Sequence, residues 1–212
     1  MTVQQGPTEA SAASPTAGAG RPAGSPAERV STPVDGVDVV GALSPSRAGD
    51  FLTCPLLYRY RTIDRIPEPY SPDAVRGTVV HKVLENLFDL PAVDRTPEQA
   101  RELLMPAWDA LLDAEPGVAE MFGTEGPDVV SWLASCRTVL DRYFSLEDPR
   151  RLEPAERELY VETLLESRLL LRGFVDRIDV APDGAIRVVD YKTGRSPGEA
   201  FEAKALFQMK FY

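Results

Sequence analysis

One turn signal constrains this chain more than any other feature. Pro182-Asp183-Gly184 separates two segments, Leu169 to Val180 and Ala185 to Lys192, that are rich in Val, Ile and Leu. Pro suits the first corner of a turn and Gly supplies a positive φ, so the three residues predict a β-hairpin. Alternation along a strand places Phe174, Asp176, Ile178 and Val180 on one face, and Ile186, Val188, Asp190 and Lys192 on one face of the next strand. Both faces are mostly apolar, are read as inward, and end in charge. A three-residue loop makes Ala181 oppose Ala185, and pairing then runs Val180 with Ile186, Ile178 with Val188, and Asp176 with Asp190. A two- or four-residue loop would send the aspartates to opposite faces. Carboxylates facing each other destabilise a sheet, so a compensating cation is expected: Lys192 in part, a divalent metal more fully. Such a metal activates water and screens phosphate charge, while Lys192 can hold the water or stabilise a developing oxyanion. The plainer alternative is a buried Asp–Lys pair that ends the hairpin.

Ahead of the hairpin, Leu159-Tyr160-Val161 begins a strand. A helix is expected from Pro72 to Phe88, with Val80, Val83, Leu84 and Leu87 at helical spacing as its buried stripe. Gly77, His81, Glu85 and Phe88 follow one edge of that stripe, and Gly77 permits close backbone approach. Taken alone, His81 reads as a structural histidine. Ser44 and Pro45 open an earlier helix that Pro55 breaks or restarts. Arg47, Arg59, Arg61 and Arg65 lie nearby, interleaved with Tyr58 and Tyr60; this suits either a nucleic-acid strand or a solvated helix face. Residues 97–146 read as helical cover, one helix running from Ala100 through Leu111 and another holding Val129 to Phe144, with Cys136 in the core.

Composition narrows the chemistry. The 212 residues contain one histidine and two cysteines, which excludes a two-imidazole zinc site and a disulfide scaffold. The formal net charge of -10 argues against a general basic coat for nucleic acid, though not against a local groove. Residues 1–42 lack Leu, Ile, Phe, Trp and Tyr, and are read as a disordered tail preceding a folded unit at 43–212. Neither a signal peptide nor a membrane-length apolar run is present, so a cytoplasmic protein is expected.

The hairpin residues Gly173-Phe174-Val175-Asp176 and Val189-Asp190-Tyr191-Lys192 resemble the active-site core of the PD-(D/E)XK nucleases. Gly77 to Glu85, carrying His81, narrows the resemblance to the RecB-like exonuclease branch, and Gln208 and Tyr212 resemble its closing Gln-x-x-x-Tyr motif. The resemblance implies an α/β (α+β), restriction-endonuclease-like fold: a central mixed sheet with an antiparallel hairpin, flanked by helices, with 97–146 as a helical insertion. It implies His81, Asp176, Asp190 and the Tyr191 carbonyl as ligands of Mg or Mn, and Lys192 as the catalytic lysine. Glu85, Gln208, Tyr212, Arg59 and Arg61 would support the site or bind DNA. The implied activity is exonucleolytic hydrolysis at single-stranded or duplex DNA ends in repair or recombination, in the company of a helicase subunit. The alternative is an inactive DNA-binding or scaffolding module of the same fold in a helicase–nuclease assembly.

Cys54, within Phe51-Leu52-Thr53-Cys54-Pro55, resembles the first cysteine of the iron–sulfur-bearing members, whose [4Fe-4S] cluster takes three more cysteines near the C-terminus. The sequence stops at Tyr212 inside an amphipathic helix without a stop signal, so a fragment lacking a last strand and a cysteine-rich end is expected. In a complete chain, Cys54 would be a core thiol.

Overall fold

The computed structural model describes residues 37, 39–123, 126–194 and 202–211. The tail reading for 1–36 and 38, and the expected site residue Tyr212, lie outside them. The molecule is mixed α/β: a four-stranded sheet carries helices assembled from the chain between its first and second strands.

Strand β1 (Gly41–Leu43) enters the sheet first, so residues 41 and 42, expected in the tail, belong to the fold. Helix α1 (Pro45–Thr53) starts on Ser44, whose side chain accepts from the Arg47 N–H, with Pro45 in its first turn. Pro55 restarts the chain as α2 (Pro55–Tyr58), which runs into a π-helical turn over Arg59–Asp64. Helix α3 (Pro72–Leu87) has Ser71 as its cap and buries Val75, Val79, Val80, Val83, Leu84 and Leu87. At roughly 1.5–3 kcal/mol for each fully buried aliphatic side chain, that stripe is the main anchor of the helical layer.

The helix expected through Ala100 and Leu111 divides into α4 (Pro97–Glu102) and α5 (Leu104–Ala114). Pro106 explains the break: it has no N–H to return to the Glu102 carbonyl, and its ring crowds that turn. Helix α6 (Val129–Leu146) begins on Asp128, which accepts from the Ser131 N–H at 2.8 Å. Trp108, Phe122 and Trp132 form an edge-packed aromatic cluster against α3, and Cys136 is fully buried beside it, as expected.

Three strands follow. Strand β2 (Glu156–Leu164) runs antiparallel to β3 (Leu169–Val180) along one edge. On the other edge of β3, β1 pairs in parallel at Leu169 to Leu171, and β4 (Ile186–Val189) pairs antiparallel at Arg177 to Val180. The hairpin has the register expected from its apolar matches: Val180 faces Ile186 and Ile178 faces Val188. Gly184 takes φ 85°, and the Ala181 N–H donates to Ala185 at 2.8 Å. Helix α7 (Glu202–Phe211) closes the described chain and packs near α1.

Two expectations about the hairpin fail. The strand expected to reach Lys192 ends at Val189, because the Tyr191 N–H bonds to the Asp176 side chain instead of to the ladder. The face read as inward is the more open one: Phe174 is 40% exposed, Val180 51% and Ile186 69%, whereas Val175 and Arg177 are buried. Counting apolar residues misses this because a charged residue, Arg177, sits on the covered side. It is tolerated there by two carboxylates, a tyrosine hydroxyl and two aromatic rings.

Candidate active site

The site lies where α3, β2, β3 and the segment after β4 meet. Helix α3 brings His81 to the sheet, and its imidazole makes two contacts. Nε2 donates to the Tyr191 carbonyl at 2.9 Å, and Nδ1 lies 3.6 Å from Asp176 Oδ1. A carbonyl only accepts, so Nε2 carries the proton in this bond and Nδ1 faces the carboxylate as a lone pair when the ring is neutral. Burial works against the imidazolium, but Asp176 outweighs it and leaves His81 above its ordinary pKa. Asp176 also receives the Tyr191 N–H on Oδ2 at 2.6 Å.

A third ligand-type residue completes this group, and it is one the sequence reading did not single out. Glu158, on β2, has the backbone φ of 46°, a left-handed conformation that costs a non-glycine residue roughly 1–3 kcal/mol. The β2–β3 register, Arg157 with Arg177 and Leu159 with Val175, sets Glu158 opposite Asp176. One ligand atom each from His81, Glu158 and Asp176 lie within 4.8 Å of one another. Burial raises the Glu158 pKa, and the charges of Asp176 and Glu85 raise it further. Two carboxylates and an imidazole held together against repulsion are a donor set that fits a divalent cation. Starting β2 at Leu159 left out Glu158, the residue just before it, and only the β2–β3 register sets it opposite Asp176.

The other expected residues form a second, adjoining group. Asp190, Lys192 and Gln208 close a triangle: Lys192 Nζ lies 2.5 Å from Asp190 Oδ2 and donates to Gln208 Oε1 at 2.7 Å, and Gln208 Nε2 donates to Asp190 Oδ1 at 2.6 Å. Helix α7 therefore brings Gln208 to the segment just after β4, joining two of the motifs read from sequence. Gly77 provides the clearance for this segment, since a Cβ there would meet Thr193 Oγ1 at 3.3 Å. Glu85, expected as a supporting residue, accepts from Lys82 at 2.8 Å, and its charge reaches Glu158.

Three expected residues are engaged or placed elsewhere. Arg59 pairs with Asp64 at 3.0 Å, and Arg61 grips Glu68 at 2.6 and 2.8 Å and Asp50 at 2.9 Å, so both guanidiniums already hold carboxylates of the chain. Cys54 is exposed at the junction of α1 and α2, which corrects its reading as a core thiol. With Cys136 buried, the two thiols of these 212 residues cannot supply the four ligands of an iron–sulfur cluster.

A sequence profile of the PD-(D/E)XK nuclease superfamily matches residues 42–212. The Gene 69 protein of Mycobacterium phage D29 is 27% identical over 183 residues, a match covering 75% of this chain and 65% of the phage protein. The chain thus spans just under two thirds of that relative's length.

Proposed function

Since the chain belongs to the PD-(D/E)XK nuclease superfamily, we propose that it is a metal-dependent deoxyribonuclease of the RecB-like kind, hydrolysing phosphodiester bonds at DNA ends during repair or recombination. The observation that carries this reading is the convergence of His81, Glu158 and Asp176, from a helix and two strands, beside Asp190 and Lys192.

His81 Nδ1, Glu158 and Asp176 would hold the metal; Asp190, a ligand by the family resemblance, lies past the end of the β3–β4 ladder with its carboxylate on Lys192 and Gln208. Bound there, Mg or Mn supplies an activated water and neutralises charge on the scissile phosphate. The chain's own groups do the rest. Lys192 carries its ammonium on an exposed side chain beside Asp190, where it can hold the attacking water or meet the negative charge that grows on phosphate oxygens. Asp190 and Gln208 fix that ammonium. The Tyr191 N–H and carbonyl hold Asp176 and His81, so the ligand set is preorganised by backbone. An acidic chain is compatible with a DNA substrate because local carboxylates recruit the cation that screens the phosphate.

The test is cleavage of end-labelled linear DNA, single-stranded and duplex, beside covalently closed circles, with Mg or Mn. Metal-dependent loss of linear DNA only, abolished in Asp190→Ala and Lys192→Ala, is the expected result. Cleavage of closed circles would replace the exonuclease reading by an endonuclease one. No metal-dependent cleavage of any substrate leaves the module without turnover, bound to DNA or scaffolding a helicase assembly.

A further inference from the structure

Tyr191 is gripped by its side chain in one place and by its backbone in another. We propose that the buried Arg177–Glu147 pair is a positioning device that acts through Tyr191 to hold His81 and Asp176 in place. The inference rests on the metal-site reading above and assigns a function to Arg177 and Glu147, which it leaves unused.

Arg177 is fully buried in the sheet. Its guanidinium forks onto Glu147 at 2.5 and 2.9 Å and onto Asp179 at 3.0 and 3.2 Å, and Nη1 also donates to the Tyr191 hydroxyl at 2.7 Å. The cation lies 5.3 Å from the Phe88 ring centroid and 5.6 Å from that of Tyr191. Arg187 joins the second carboxylate, with Nη2 2.6 Å from Asp179, so two cations face two anions. Charges buried this way gain little for stability over apolar packing of equal volume. What they add here is geometry: a planar fork with fixed donors leaves one orientation for the tyrosine ring.

Glu147 sharpens the point. It is the residue that ends α6, where the helix dipole is negative and a carboxylate is unfavourable. Burial pushes its pKa up, yet Arg177 overrides burial and holds it below the ordinary range. Helix α6 therefore delivers a carboxylate to Arg177 at a position its own helix disfavours.

The Tyr191 backbone is the other half of the device. Its N–H is spent on Asp176 and its carbonyl on His81, so a shift of the ring moves the partners of two proposed ligands together. Groups in this orienting position are worth roughly 10–100-fold in metal affinity or activity.

Tyr191→Phe removes one hydroxyl and leaves Arg177 its two carboxylates, so it is the mild variant; Glu147→Gln is the stronger one. In the full chain without metal, amide hydrogen exchange is expected to accelerate at residue 191 in both, by more than the uniform acceleration that lowered stability gives the core amides of Val83 and Leu140. Exchange at residue 191 that is unchanged in both variants, or accelerated no more than those core amides, overturns the proposal. A calorimetric Mn titration of the same proteins addresses the reading beneath it. Roughly 10–100-fold weaker binding than wild type is expected; Mn binding unaltered from wild type overturns the positioning role, whereas faster exchange with no Mn binding by the wild type itself upholds the anchor and refutes the metal site.

Discussion

Glu158 shows what a candidate metal ligand costs the fold. Its left-handed backbone and its place among Asp176 and Glu85 are both unfavourable, and its pKa is raised by burial first and those charges second. The sign follows: a carboxyl with a raised pKa in the fold destabilises the metal-free protein once ionised, above that pKa. Glu158→Gln is therefore expected to raise the melting temperature in chelator at neutral pH, flatten its dependence on pH, and weaken Mn binding; thermal melts beside a titration check all of it. Gly77 carries the opposite trade. Alanine there gains up to about 1 kcal/mol of helix propensity, but its Cβ would press on Thr193, two residues beyond Tyr191. Gly77→Ala is expected to keep or raise stability while lowering turnover severalfold, and Thr193→Ala in the same chain to restore turnover. At this scale His81, Asp176, Asp190, Lys192 and Gln208 were legible in sequence because each belongs to a spaced motif. Glu158, Glu147 and Arg177 were not, since their meaning depends on which strand faces which.

The hairpin and α3 are the elements that build the candidate site; the turn and register of the one and the span of the other were legible. Pro182-Asp183-Gly184 set the register and Ser71-Pro72 set the helix start, signals that act within a few residues and need no tertiary context. Gly184 is the residue on which the turn depends, with φ 85° and open space around it. Gly184→Ala is expected to cost about 1–2 kcal/mol, measured by denaturant unfolding, with little effect on Mn affinity, because the ladder beyond the turn keeps its register. Which face of the hairpin is covered could not be read the same way. Alternation identifies two faces, but only the helical layer decides between them, and here it packs on Val175 and Arg177 rather than on Ile178 and Val180. The early end of β4 has a similar cause: one side-chain acceptor, Asp176, outcompetes the ladder for the Tyr191 N–H.

Across the whole molecule, the helical layer and the sheet are joined by charge as well as by apolar packing. The aliphatic stripe of α3 against α5 and α6 is the ordinary core. Glu147 from the end of α6 and Arg177 from β3 tie that core to the strand that bears Asp176. The linkage has a pH signature. Glu147 has a folded pKa below its unfolded one, so its contribution is present above the unfolded value, near 4.3, and is lost as pH falls through the folded value. Glu147→Gln is expected to lose roughly 2 kcal/mol at neutral pH and to show a shallower acid limb in pH-dependent melts. No described helix is long and apolar enough to cross a membrane. The long-range ties were the part least legible in sequence, because Glu147 and Arg177 are 30 residues apart and neither belongs to a local pattern. His81, Glu158 and Asp176 are proposed to hold one divalent cation together. Calorimetric titration of Mn into the wild type and into His81→Ala, Glu158→Gln and Asp176→Asn measures whether they do. One binding event, lost or strongly weakened in each variant, is the predicted result, and equal binding by all four proteins would contradict it.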